Sequence, residues 1–259
     1  MKKAILFIAT AAFAFNSCKK DEAPEITNVS TERKSLLIDF TATWCCPCGS
    51  SLGIYHDVLH KYPNKVITFA LHASNDPFYN QDAYWHWANI YDVQGIPSYV
   101  CDNQKVLWGY VMPDLHLDTT HFHEIIHTTT AQNPPVCGIG IAKTISGSTM
   151  TIKTKTVFFG ETSGNFNLGV YVVEDGLVYT QNCSDDSTHN SVFRECVTDA
   201  DGAGILLSSG AVSKGKTFDK TFTYNIPSGY VANNLHVIAV IYKMGSDPKP
   251  LEILNVNRN

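Results

Sequence analysis

The stretch LLIDFTATWCCPCGSSLGIYHDVLHKYP, Leu36 to Pro63, sets a C-x-x-C pair between two different hydrophobic rhythms. Ahead of the pair runs a short apolar segment of strand type. Behind it, apolar residues recur three and four apart, as on one face of a helix. Cys45 therefore stands where a strand hands over to a helix. The partial positive charge and unpaired N–H groups of a helix N-terminus stabilise a thiolate. Such settings lower a thiol pKa from ~8.5 into a range of ~3.5–7.5. Cys48, one turn inward, is placed to attack a mixed disulfide formed on Cys45. Two other readings are weaker. A zinc site needs two further ligands, usually a second C-x-x-C or paired histidines, and the chain has no second such cysteine pair. A purely structural bridge across two residues closes a loop too small to constrain the unfolded chain much.

The N-terminus reads as an export signal. Lys2 and Lys3 precede a short apolar run, Ala4 to Phe15, too short to span a bilayer as a mature helix. Residues 1–17 are expected to be a signal peptide. Residues 18–33 are expected to form a tether, polar after the lipid-bearing Cys18, that anchors the chain to a membrane. The whole chain carries a net charge of −5, which becomes −7 once Lys2 and Lys3 leave. A mildly acidic surface argues against nucleic acid as a partner. Eight cysteines in an exported chain suit an oxidising compartment. With Cys18 acylated an odd number remains, so at least one thiol is free or intermolecular.

The chain changes rhythm near the AQNPPVCG segment. Residues 34–132 alternate strand-like runs with helical patterns, the pattern of an α/β fold. Residues 133–259 alternate in strand fashion, with turn signals at Ser146-Gly147-Ser148, Asp175-Gly176 and Asp201-Gly202. Seven or eight short strands there, LVYTQNC (Leu177 to Cys183) among them, predict an all-β, immunoglobulin-like Greek-key sandwich.

At IDFTATWCCPC, Ile38 to Cys48, the sequence resembles the active-site segment of thioredoxin-like proteins. An acidic residue lies in the strand, Trp44 precedes the first cysteine, and Pro47 precedes the second. The resemblance implies that Asp39 is the buried acid that accepts the proton of Cys48. VQGIPSYV resembles the cis-proline loop, which implies that Pro97 shapes a substrate groove and that the Ile96 backbone pairs with a substrate strand. Trp44 would join in substrate contact, and His72 and Asp76, after the strand VITFALHA, would lie near the rim of the site, either touching substrate or capping the loop that starts the next helix. The segments HASNDPF, GIPSYV, VYVVEDGLVYTQN and HNSVFR together resemble the twenty-eight-kilodalton outer-membrane lipoproteins, which join a thioredoxin-like domain to a β-domain. Cys46, between the two site cysteines, departs from the thioredoxin pattern and is free to form competing disulfides.

Several other constellations have plainer explanations. His123-Glu124-Ile125-Ile126-His127 is a formal H-E-x-x-H zinc-protease signature. The apolar stripe of that helix runs through Phe122, Ile125, Ile126 and Thr129, which turns both histidines away from the core, with His116 and His121 near them in sequence. No metal site is expected. Tyr84, Trp85, Trp87 and Tyr91 form an aromatic helix face of core type. Glu174, Gln181, His189, Asn190 and Arg194 are expected to form one polar network. Cys183 and Cys196 flank a polar loop, where a bridge between adjacent strands is expected. The sequence thus predicts a cell-envelope thiol–disulfide oxidoreductase. It would need no cofactor, because electrons come from envelope protein thiols. The alternative is a surface binding or adhesion lipoprotein that keeps the thioredoxin-like domain as a scaffold.

Overall fold

The computed structural model describes residues 23–27, 29–107, 119–132, 134–199, 204–245 and 250–259. The signal segment, Cys18, Asp21-Glu22, His116 and the Asp201-Gly202 turn lie outside the described residues. β1 (Ser35–Thr41) leads through the cysteine turn into α1 (Cys46–Lys61), followed by β2 (Val66–His72), α2 (Gln81–Ile90), β3 (Ser98–Cys101), β4 (Gln104–Leu107) and α3 (Thr119–Thr130). β1 is central, parallel to β2 and antiparallel to β3. It is buried along its whole length, so its near-continuous apolar run serves two faces. Leu36, Ile38 and Phe40 pack with Phe69, Leu71 and the Tyr84 and Trp87 side of α2. Leu37 packs on the other face, with Val58 of α1 and with Phe122, Ile125 and Ile126 of α3. The stripe expected on α3 is thus its core face. His127 is exposed, and His123 lies half-buried beside the ring of Tyr62. Tyr84, Trp87 and Tyr91 are core, whereas Trp85 is exposed.

The second half supplies β5 (Cys137–Ser146), β6 (Thr149–Phe158), β7 (Thr162–Glu174), β8 (Leu177–Val178), β9 (Thr188–His189), β10 (Val192–Cys196), β11 (Ile205–Val212), β12 (Thr217–Asn225), β13 (Leu235–Met244) and β14 (Pro250–Arg258). β12, β6 and β5 form one sheet of a sandwich. The opposing sheet, β14-β13-β7, does not stop at the sandwich. Through β10 it continues into β2, β1, β3 and β4, as a single nine-stranded sheet that includes β11 on the edge of β7. The seam is short: Val192 pairs with Ala70, and the Ala70 N–H donates to the Ser191 carbonyl at 2.8 Å.

This continuity explains why LHVIAVIYK is apolar at nearly every position. Val237, Ala239 and Ile241 face the sandwich core. Ile238, Val240 and Tyr242 face the core that α2 covers. β7 divides the same way, with Phe166, Leu168, Val170 and Val172 on the sandwich side and Tyr171 and Val173 on the other. The Tyr171 and Tyr242 hydroxyls satisfy each other at 2.8 Å within that second core. A strand buried on both faces loses the polar alternation of a half-exposed one.

One local expectation needs correction, and one strand lies outside the expected set. LVYTQNC is strand only at Leu177–Val178; from Tyr179 onward it leaves the sheet as a loop that returns in β9. Conversely ILLSSGAV is a strand, β11, although its serines and glycine interrupt the apolar alternation. It pairs with the N-terminal part of β7 while β10 pairs with the C-terminal part.

Candidate functional site

α1 begins at the cysteines. Cys45 is the N-cap residue in extended conformation, and Pro47 occupies the first turn, where its missing N–H costs nothing. The Cys45 Sγ accepts a hydrogen bond from the Cys48 backbone N–H at 3.1 Å, the position of an N-cap acceptor. Cys45 and Cys48 are joined as a disulfide, with Cα atoms 5.2 Å apart. Across from them the Ile96–Pro97 peptide is cis. The Ile96 carbonyl oxygen lies 3.9 Å from the Cys45 Sγ, while Ile96 itself is half-buried and Pro97 buried. Trp44 is 46% exposed beside the pair, with its indole N–H donating to the Ser74 carbonyl.

Asp39 lies on the same face of β1 as Leu37. It is 4% exposed, and its Oδ1 has no hydrogen-bond partner. Burial pushes its carboxyl up to about 8, because the charged form is the one that desolvation penalises. A cavity of about 130 Å³ opens beside it, lined by Asp39, Tyr55, His56, His72, Gln181 and His189 among others. One wall of this cavity comes from the second half of the chain.

The loop between β8 and β9 supplies that wall. Gln181 Nε2 donates to the Ala42 and Cys45 carbonyls, each at 3.1 Å. The Asn182 backbone N–H donates to the Thr43 carbonyl at 2.8 Å, and its side-chain amide to the Trp44 carbonyl at 2.8 Å. A second disulfide, Cys46–Cys183, fixes the loop to the first turn of α1. Cys183 is therefore not bridged to Cys196. The loop that Cys183 belongs to leaves its own sheet and lies on the cysteine turn, and Cys196 stays a free thiol in β10 beside Thr198 and Asp199. Cys101 and Cys137 are free and buried.

The expected single polar network does not form; its members serve separate contacts. Glu174 pairs with Arg194 at 2.8 Å and accepts from the Val231 N–H. Asn190 accepts from the Gly176 N–H. Gln181 serves the cysteine turn. His72 is 2% exposed, which removes it from a rim that a substrate could touch. It lies under the β8–β9 hairpin, its ring 5.6 Å from that of His189, and its Nδ1 lies 3.0 Å from Asp76 Oδ1. Asp76 Oδ2 accepts from both the N–H and the hydroxyl of Thr43, at 2.6 and 2.8 Å. The pair thus braces the turn before Cys45.

Sequence reasoning missed Gln181, Asn182 and the Cys46–Cys183 bridge as parts of the site. The bridged cysteines are 137 residues apart, and no local pattern links them. The odd third cysteine inside the C-x-x-C was the one available sign. Among the described residues, no group of three His, Cys, Asp or Glu side chains is gathered as a metal site.

Comparison with known proteins agrees with this architecture. Residues 23–107 match the thioredoxin family model, and residues 85–259 match the model of outer membrane protein Omp28. A thioredoxin of Buchnera aphidicola subsp. Baizongia pistaciae is 29% identical over 77 residues, which is 30% of this chain and 63% of that protein, so less than two thirds of the relative is spanned. The structure of HBP35 of Porphyromonas gingivalis superposes with a TM-score of 0.70 at 15% identity, covering 90% of this chain and 76% of that one. A structural-genomics protein of Agrobacterium tumefaciens superposes with a TM-score of 0.53 at 11% identity, over 88% and 95% of the two chains. With a thioredoxin domain leading into a strand-rich second half, the chain belongs to the Omp28 outer membrane protein family.

Proposed function

We propose that this protein is a cell-envelope lipoprotein, anchored through lipid on Cys18, whose thioredoxin-like domain exchanges disulfides through Cys45 and Cys48. The observation that carries the proposal is the cysteine turn. Cys45 caps α1 with its sulfur on the Cys48 N–H, under the Ile96 carbonyl. In the reduced protein the Cys45 thiolate attacks a partner disulfide, and one partner sulfur leaves as a thiolate. Cys48 then attacks the Cys45 sulfur of the mixed disulfide, which frees the second partner thiol and closes the Cys45–Cys48 bond. Asp39 takes the proton that Cys48 gives up, and the cis Ile96–Pro97 loop and Trp44 hold the partner strand. Partner proteins are thiols and disulfides of the envelope, and no cofactor is required.

Trapping tests this directly. Cys48→Ala should leave Cys45 in covalent adducts with envelope proteins, recovered by non-reducing electrophoresis. The Cys46/Cys48/Cys183 triple-alanine variant removes any rescue by Cys46 or Cys183. No adduct in either variant would overturn the proposal.

One observation favours a second function. Cys45 and Cys48 are only 5% and 2% exposed, under a loop held by four hydrogen bonds and a disulfide. A scaffold for a surface binding or adhesion lipoprotein tolerates such cover. Protease treatment of intact cells separates the two, since outward display exposes the β-domain to digestion and a periplasmic oxidoreductase is protected.

A further inference from the structure

The two disulfides differ in access. Cys183 is exposed and Cys46 half-exposed, whereas Cys45 and Cys48 are both buried. A protein dithiol that approaches the fully oxidised molecule therefore meets the outer bridge first. The same loop that carries Cys183 grips the inner pair, since Gln181 holds the Cys45 carbonyl and Asn182 holds those of Thr43 and Trp44. Cys46 is the chain neighbour of Cys45, and its Cα is 4.9 Å from that of Cys183. Cys46 also lies in the first turn of α1, where the helix N-terminus favours a thiolate and hence a leaving group.

We propose that Cys46–Cys183 is a second redox couple, which relays electrons from a partner protein dithiol to the buried Cys45–Cys48 disulfide. This rests on Cys45–Cys48 being the redox pair of the preceding section and describes how that pair is recharged. The partner thiolate attacks the Cys183 sulfur, and Cys46 leaves as a thiolate. The partner's second thiol then attacks its own sulfur in the mixed disulfide, which closes the partner disulfide and frees the Cys183 thiolate. Cys183 next attacks the Cys45 sulfur; the Cys45–Cys48 bond breaks, and Cys48 leaves and takes up a proton. Finally the Cys46 thiolate attacks Cys183, which restores the outer bridge and frees Cys45 as a thiolate. In sum, the partner dithiol loses two electrons and two protons. The inner pair gains the electrons and one proton, the other proton going to solvent, and the outer couple ends as it began.

The test follows each cysteine of the full oxidised chain during reduction by reduced thioredoxin, with acid quenching, differential alkylation and peptide mass spectrometry. The relay requires free Cys46 and Cys183 to appear before free Cys45 and Cys48. It also requires Cys46→Ser/Cys183→Ser to slow reduction of the inner pair at least about tenfold. In a Cys46→Ser/Cys48→Ser variant, a Cys45–Cys183 linkage should be recovered. Reduction of the inner pair in the wild-type chain with neither a free Cys46 thiol nor a Cys45–Cys183 linkage trapped at any earlier quench time overturns the relay, without recourse to a variant that might not fold. Equal or faster inner reduction in a folded double variant overturns it too and leaves the outer bridge a structural staple. If Cys45–Cys48 stays oxidised in every form while the outer bridge is reduced, the failure lies with the redox pair itself, and the relay falls with it.

Discussion

Gly49, in the first turn of α1, lies against the backbone of Asn182 so closely that a Cβ would overlap the Asn182 carbonyl oxygen. The contact joins the thioredoxin-like half to the β-rich half at the cysteine turn, and neither backbone has a flexible side chain that could yield. Gly49→Ala must therefore lift the 179–187 loop or strain the Cys46–Cys183 bridge. Overpacking of this kind costs about 1–3 kcal/mol. Thermal unfolding should show a lowered Tm for Gly49→Ala. Gly53, on the same helix with open space around it, is the control. At Gly53 the alanine variant should be neutral or stabilising, since alanine is the better helix former.

Asp39 should make stability fall as pH rises. Its folded-state pKa, raised by burial to about 8, lies above the unfolded value near 3.8. Below pH ~4 the group is protonated in both states and contributes no difference. Between ~4 and ~8 the unfolded chain releases a proton that the folded chain keeps, so stability declines across this window. Above pH ~8 both states are ionised and the cost of a buried, unpaired charge is at its full size. Asp39→Asn should consequently be more stable than the wild type at pH 9, with little difference at pH 4. Urea unfolding across that range measures it, and parallel curves for the two proteins would remove Asp39 as their source.

The free and reducible thiols should separate by reactivity. Burial pushes Cys137 up to about 12 and Cys196 to about 11, and it holds Cys101 well above the ordinary thiol range. A thiolate at the N-cap of α1 belongs at the opposite end, within ~3.5–7.5. In the reduced, folded protein at pH 6, iodoacetamide should label Cys45 well before Cys196 and leave Cys101 and Cys137 unmodified until unfolding. Peptide mapping reads the order. Labelling of Cys45 only near pH 8.5 would show an ordinary thiol and remove the basis for its nucleophilic role.

Much of this arrangement was legible because it depends on local pattern. The passage from strand to helix around Cys45, the loop ahead of Ser98 and the stripe Phe122, Ile125, Ile126 each follow from periodicity or from a short motif. The nature of the fusion was not legible. That β13 and β7 are strands follows from their composition, but the burial of their second face against the α2 side depends on the β10–β2 seam, a single residue pair. The excursion from Tyr179 to Ser187 was hidden for another reason. Val178 and Tyr179 are among the more exposed large apolar residues of the molecule, so their β-type sequence does not report sheet membership. His72 was misplaced because its position at the end of β2 suggested the rim, whereas the hairpin that covers it comes from more than a hundred residues away.

The His72–Asp76 pair gives the last prediction, opposite in sign to that of Asp39. Burial acts to raise the Asp76 pKa. Hydrogen bonding and charge from His72, with the N–H groups of Phe78 and Thr43, outweigh it and hold the carboxyl down at about 2. Its unfolded value is near 3.8, so the folded state is the one that favours the carboxylate. The stabilisation is fully present above pH ~4 and is lost as pH falls through the folded value. A depression of this size corresponds to about 2 kcal/mol. Asp76→Asn keeps the shape but removes the charge and weakens the hold on the Thr43 N–H, two residues before Cys45. It should destabilise the protein at pH 7 by about 2 kcal/mol and by much less at pH 2, measured by urea unfolding at both values. Because Thr43 also receives the Asn182 N–H on its carbonyl, the same variant should loosen the 179–187 loop. Amide hydrogen exchange at Asn182 should then be faster in Asp76→Asn than in the wild type with both disulfides intact. Unchanged exchange there would mean that the buried pair braces Thr43 without bearing on the loop.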